Sequence, residues 1–88
     1  MAELRTQIDA LDGALIDLLV ERAGFIDRAI TLKQQENLPA RINDRVEEVV
    51  QNVRASADTG GLDPDLAETL WRHLIEWSIA REEKQLTR

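Results

Sequence analysis

Apolar residues recur at Leu4, Ile8, Leu11, Leu15, Leu18, Phe25, Ala29 and Leu32, in alternating steps of four and three. That alternation predicts one long helix with an apolar face, from about Ala2 to about Glu36. The member of the series between Leu18 and Phe25 is Arg22, so a guanidinium stands where the pattern wants a core side chain. Burying a fixed charge without a partner is costly, so Arg22 is either paired by an acid or open to an anion. Charges at Asp9, Asp12, Asp17, Glu21, Asp27 and Arg28 flank the stripe as a solvated face. Gly13 and Gly24 each cost about 1 kcal/mol against alanine inside a helix. Either another backbone packs closely there or the helix tolerates them.

Asn37 reads as a C-terminal stop, and Pro39 cannot continue the helix. A short second helix follows, capped by Asn43 or a near neighbour, with Ile42, Val46, Val49, Val50, Val53 and Ala57 on its apolar face. It is expected to end before Asp58, with Gly60 and Gly61 supplying the turn. Asp63-Pro64 is a strong helix start, the aspartate as N-cap and the proline at the first helical position. The third helix is expected from Pro64 to about Leu86. On it Leu66, Leu70, Leu74 and Trp77 form one apolar line, and Ala67, Trp71 and Ile75 a second that runs on into Ser78, Glu82 and Gln85. No segment alternates as a strand would. The expected fold class is all-α, with one long, one short and one medium helix in a single domain covering residues 1–88.

The length of the first helix adds a constraint. About 35 residues at 1.5 Å each span roughly 50 Å, whereas a compact chain of this size has a radius of gyration near 12 Å and a diameter of about 30 Å. The helix overshoots its own globule, which predicts an intertwined helical homodimer.

Composition narrows the partners. The chain has 17 acidic against 11 basic residues and a net charge of -6, a balance that argues against nucleic acid. It says little about a small anion, which feels the groups within a Debye length. There is no cysteine, which excludes a disulfide framework and thiolate chemistry. No run is long enough for a membrane span, and the first residues carry acids without an apolar signal segment, so a cytoplasmic location is expected. No regulatory extension is visible either, so feedback control within this sequence is not expected.

The polar residues on or beside the apolar stripes are Arg5, Arg22, Lys33, Arg45, Ser78 and Glu82, and four of these are cationic. Such a concentration suits an anion with more than one carboxylate, because arginine forks bind carboxylates bidentately and lysine adds a point charge. Ordinary surface salt bridges are the competing reading. Arg22 and Lys33 lie about 16 Å apart along the helix axis, which long side chains can bridge around a small ligand. Arg5 lies about 25 Å from Arg22 on the same rod and can only serve a different site, such as one in a second, antiparallel chain. Glu82 could neutralise a cation when ionised, or donate a hydrogen bond when protonated; burial favours the neutral form and nearby cations the charged one. His73 is the only histidine, so no histidine-based metal set exists, and it reads as a surface or interface residue. Trp71 and Trp77 read as core packing. No nucleophilic triad or phosphate-binding glycine loop is present, and nothing requires a metal or organic cofactor.

Several segments together resemble the small all-helical chorismate mutase family, with the isochorismate-pyruvate lyases as close relatives. They are LRTQIDALDGALIDLLVER in the first helix, Lys33 followed by LPAR, the Asp44-Arg45 pair, and LDPDLAETLWRHLIEWSIAREE in the third. The resemblance covers nearly the whole chain. It implies a homodimer with two equivalent sites, each taking Arg22, Lys33 and Arg45 from one protomer and Arg5 from the other. It further implies that Arg5 and Arg22 hold the carboxylates of chorismate, that Lys33 meets the ether oxygen and a carboxylate, and that Arg45 supports the enolpyruvyl side. Ser78 falls where a hydroxyl approaches the ring carboxylate, and Glu82 where many members place a glutamine as second donor to the ether oxygen. The implied activity is an isomerase reaction of the shikimate pathway, the Claisen rearrangement of chorismate to prephenate in phenylalanine and tyrosine biosynthesis.

Two positions depart from the family pattern. Val46 stands where many mutases carry a glutamate that binds the ring hydroxyl, and Ile42 where they often have aspartate. The alternatives that this leaves are isochorismate-pyruvate lyase activity, an aminated chorismate analogue as substrate, and a non-catalytic helical dimerisation module.

Overall fold

A computed structural model describes residues 1–86 of the chain. Three helices account for nearly all of it: α1, Ala2–Glu36; α2, Asn43–Gly60; and α3, Pro64–Leu86. No strand forms among the described residues. The element order and the bounds of α1 and α3 are those expected from the periodicity.

The caps explain the boundaries. Asn37 takes the left-handed conformation (φ 57°), and the Leu38 N–H donates to the Lys33 carbonyl at 2.9 Å, closing the last turn of α1. Asp63 accepts from the Asp65 N–H at 2.9 Å and so caps α3. The cap of α2 falls on extended Ile42, without a side-chain bond, and Asn43 becomes the first helical residue. The end of α2 corrects the sequence reading: the helix runs past Asp58 to Gly60. The reason is Gly61, at φ 84° the only described glycine in the left-handed region. The chain therefore stays helical until it reaches a residue without a Cβ to strain, and Leu62 N–H then bonds to the Ala57 carbonyl at 2.8 Å.

Helix α3 is the common neighbour, packing against both α1 and α2. The core is centred on fully buried Val50 with Ala40, Ile75 and Ile79, and Val46, Val49 and Leu86 pack around it. Of the two apolar lines of α3, the second is the buried one: Ala67, Ile75, Ser78 and Glu82 are all buried. Leu66, Leu70 and Trp77 stay exposed, so Trp77 is not a core residue of this chain, contrary to expectation. Trp71 is half-buried and His73 exposed.

The stripe of α1 also needs correction. Its members Leu4, Ile8, Leu11, Leu15, Leu18, Phe25 and Leu32 are 47–65% exposed. The face that meets α3 is instead Arg22, Ala23, Ile26, Ala29, Ile30 and Lys33, which shares Arg22 and Ala29 with the series and otherwise lies one residue further round the helix. This helix has two apolar faces, and its own chain covers one. Outside the local backbone of α1, no atom lies within 4 Å of where a Cβ would stand at Gly13 or Gly24, so no other described part of this chain approaches closely there. The molecule measures 51 × 23 × 15 Å with a radius of gyration of 15.7 Å, well above the value of about 12 Å for a compact chain of this length. No helix among the described residues is long and apolar enough to cross a membrane.

Candidate active site

A cleft of about 220 Å³ opens where the C-terminal half of α1, the start of α2 and the end of α3 converge. Its polar lining is Arg22, Lys33, Arg45, Ser78 and Glu82. Its apolar walls include Ile26, Ile42, Val46, Val49, Ile75 and Ile79. Five of the polar residues singled out from the sequence thus meet in one place, with Val46 beside them. Arg5 does not join them; it sits on the exposed N-terminal half of α1. The volume lies below the range of about 300–1,000 Å³ typical of drug-sized ligands, so the cleft suits a small compact molecule.

Helical spacing sets this arrangement. Ser78 and Glu82 lie four residues apart on α3, one turn above each other, and Ile75 and Ile79 share that face. Their inward direction buries both polar residues, at 4% and 3% exposure. Each is matched: Ser78 Oγ donates to the Leu74 carbonyl at 2.9 Å and accepts from Arg22 Nη1 at 3.2 Å. Lys33 Nζ donates to Glu82 Oε1 and to the Ala40 carbonyl, both at 2.7 Å. In this state Glu82 acts as acceptor and neutralises the lysine.

Arg22 differs from the arginines that tie the helices together. Arg41 pairs with Glu76, Arg54 with Asp65 and Glu68, Arg72 with Glu47 and Glu68, and Arg81 with Asp27. Arg45, which lines the cleft, also reaches out to Glu48 on the next turn of α2. Arg22 forms no ion pair among the described residues; its one side-chain bond goes to a neutral hydroxyl. Burial, and then repulsion from Arg45, lower its pKa. Both causes disfavour a positive charge, and the negative charge of an incoming anion offsets them. Of the two readings of Arg22 left open by the sequence, pairing with an acid of its own chain is therefore not what the fold provides.

The walls carry a second message. Ile42 and Val46 belong to a continuous aliphatic lining with Ile75 and Ile79, and a ligand hydroxyl turned toward it would find no acceptor. Among the described residues no group of three His, Cys, Asp or Glu side chains converges as metal ligands would. A larger groove of about 510 Å³ runs between α1 and α3 past Trp77, Arg81 and Lys84. There Arg81 is already held by both oxygens of Asp27, at 2.7 and 3.1 Å, and lies over the Trp77 ring.

One polar group in the cleft escaped the sequence reading, the Ala40 carbonyl on Lys33. A backbone acceptor leaves no mark on residue type. Ile75 was legible as a member of an apolar line, whereas Ile26 and Ile79 were not singled out by the sequence.

The family model for chorismate mutase type II matches residues 4–83. The T-protein of Enterobacter agglomerans is 32% identical over 82 residues, which cover 93% of this chain and 22% of that protein. The bifunctional chorismate mutase/prephenate dehydratase of Aquifex aeolicus is 31% identical over 87 residues, 96% of this chain and 24% of that one. The chorismate mutase of Methanocaldococcus jannaschii is 23% identical over 86 residues, 98% of this chain and 87% of that one. The chain thus spans about a quarter or less of the T-protein and of the bifunctional enzyme. A match that runs from the first turn of α1 to the last turns of α3, through every residue that lines the cleft, means that this chain belongs to the chorismate mutase type II family.

Proposed function

We propose that the cleft binds chorismate and rearranges it to prephenate. The observation that carries this reading is Arg22, a partly buried guanidinium facing a second arginine and lacking a carboxylate partner. A dicarboxylate supplies what the fold withholds. Arg22 takes one carboxylate, Arg45 supports the enolpyruvyl carboxylate after turning from Glu48, and Ser78 approaches the ring carboxylate beside Arg22.

The reaction breaks the ether C–O bond while a C–C bond forms, with no proton transfer and no covalent enzyme intermediate. The residues therefore act by holding the compact chair-like conformer and by meeting negative charge as it develops on the ether oxygen. Lys33 donates to that oxygen from its ammonium group. Glu82, on the same side of the cleft, holds the lysine in place. The aliphatic walls at Ile42, Val46, Ile75 and Ile79 exclude water from the reacting bonds.

The site is completed by a second copy of the chain. The uncovered stripe of α1 supports this reading, since Arg5 lies on that part of the helix and reaches its partner's cleft in an antiparallel pairing. Each homodimer then holds two equivalent sites.

A second reading is isochorismate-pyruvate lyase activity, favoured by the aliphatic lining at Ile42 and Val46. The test is incubation with chorismate and isochorismate in parallel, following prephenate against salicylate and pyruvate. Prephenate from chorismate supports the mutase, and salicylate with pyruvate the lyase. Turnover of neither substrate would leave a helical dimerisation module.

A further inference from the structure

We propose that the Ala40 carbonyl is a positioning group that aims the Lys33 ammonium into the cleft. This rests on the reading of Lys33 as the donor to the reacting oxygen. A lysine ammonium has three N–H donors on a flexible stem, and alone it supplies charge without direction. Here two donors are committed, one to Glu82 Oε1 and one to the Ala40 carbonyl, both at 2.7 Å. Fixing two N–H directions of a tetrahedral nitrogen fixes the third, which is left for a ligand oxygen.

The Glu82 anchor comes from α3 and the Ala40 anchor from the α1–α2 connection, so the ammonium is held from two sides. The connection is itself built to return over Lys33. Asn37 turns the chain in the left-handed conformation, and Leu38 N–H bonds to the carbonyl of Lys33 itself at 2.9 Å. Pro39 stiffens the next step. The Ala40 side chain, 7% exposed, then anchors in the core with Val50, Ile75 and Ile79. One small buried methyl group thereby ties the position of a backbone carbonyl to the core.

The test uses Ala40→Gly, which removes the anchor and loosens the connection, with Ala40→Ser as the conservative control that keeps a Cβ. In isotope-labelled wild type, NMR is expected to show a scalar coupling across the hydrogen bond between Lys33 Nζ and the carbonyl carbon of residue 40. Ala40→Gly should lose that coupling and lower kcat for chorismate about ten-fold, in line with the cost of misplacing a reacting group. KM should stay within about two-fold, because the carboxylate-binding arginines are untouched. Ala40→Ser should keep both coupling and kcat. Absence of the coupling in wild type, or an Ala40→Gly variant with unchanged kcat, would overturn the proposal. Should wild type turn over no chorismate, the mutase reading fails by itself, and the coupling still decides whether Ala40 holds the lysine.

Discussion

Arg22 concentrates the chemistry of this chain in one side chain. It lies in the contact face of α1, is repelled by Arg45, and has Ser78 as its hydrogen-bond partner. If it serves as a carboxylate clamp, Arg22→Ala should remove turnover by at least about a hundred-fold while leaving the thermal unfolding midpoint nearly unchanged. A structural ion-pair residue would behave otherwise, with stability falling by about 3 kcal/mol or more. Circular dichroism melts beside steady-state rates separate the two. Glu82 accepts from Lys33 in this structure, and a glutamine there could accept from the lysine and also donate to a substrate oxygen. Glu82→Gln should therefore turn over chorismate at least as fast as wild type. A variant slower by ten-fold or more would remove the donor role.

At the scale of elements, α2 and α3 are joined by a small core and a chain of half-buried and exposed charges. Glu47 reaches Arg72, Arg72 reaches Glu68, and Glu68 reaches Arg54, which also meets Asp65. Hydrogen bonds from Arg72 hold the Glu47 and Glu68 carboxyls below their usual pKa, and Arg41 does the same for Glu76. Carboxylates with lowered folded-state pKa add stability above their unfolded value and lose it as pH falls through the folded one. The melting temperature should therefore drop as pH falls below about 4, and Arg72→Met should make that acid dependence shallower. The pattern of residues revealed these helices well, because caps such as Asn37 and Asp63 act locally. It missed the last turn of α2, where the left-handed Gly61 rather than the polar Asp58 ends the helix. It also merged the two apolar faces of α1: a three-four repeat shows that a face exists but not which neighbour meets it. Arg22, Lys33, Arg45, Ser78 and Glu82 were legible as polar residues on or beside apolar lines, whereas the Ala40 carbonyl was not, since backbone acceptors are common to all residues.

At the scale of the whole molecule, the governing feature is a rod that one chain does not cover. The 51 Å long axis matches the span expected for α1 from its residue count alone, and the stripe from Leu4 to Leu18 lies exposed along it. In the proposed dimer each site combines Arg22 of one chain with Arg5 of another. Arg5→Ala and Arg22→Ala chains should each be inactive when pure, because every site in either homodimer lacks one arginine. Unfolded together in equal amounts and refolded, they should form mixed dimers in which one of the two sites has both arginines. Prephenate formation should then return to about a quarter of the wild-type rate, as random pairing in a two-fold symmetric dimer requires. A mixture that stays as inactive as its parents, while light scattering shows dimers, would contradict the shared site.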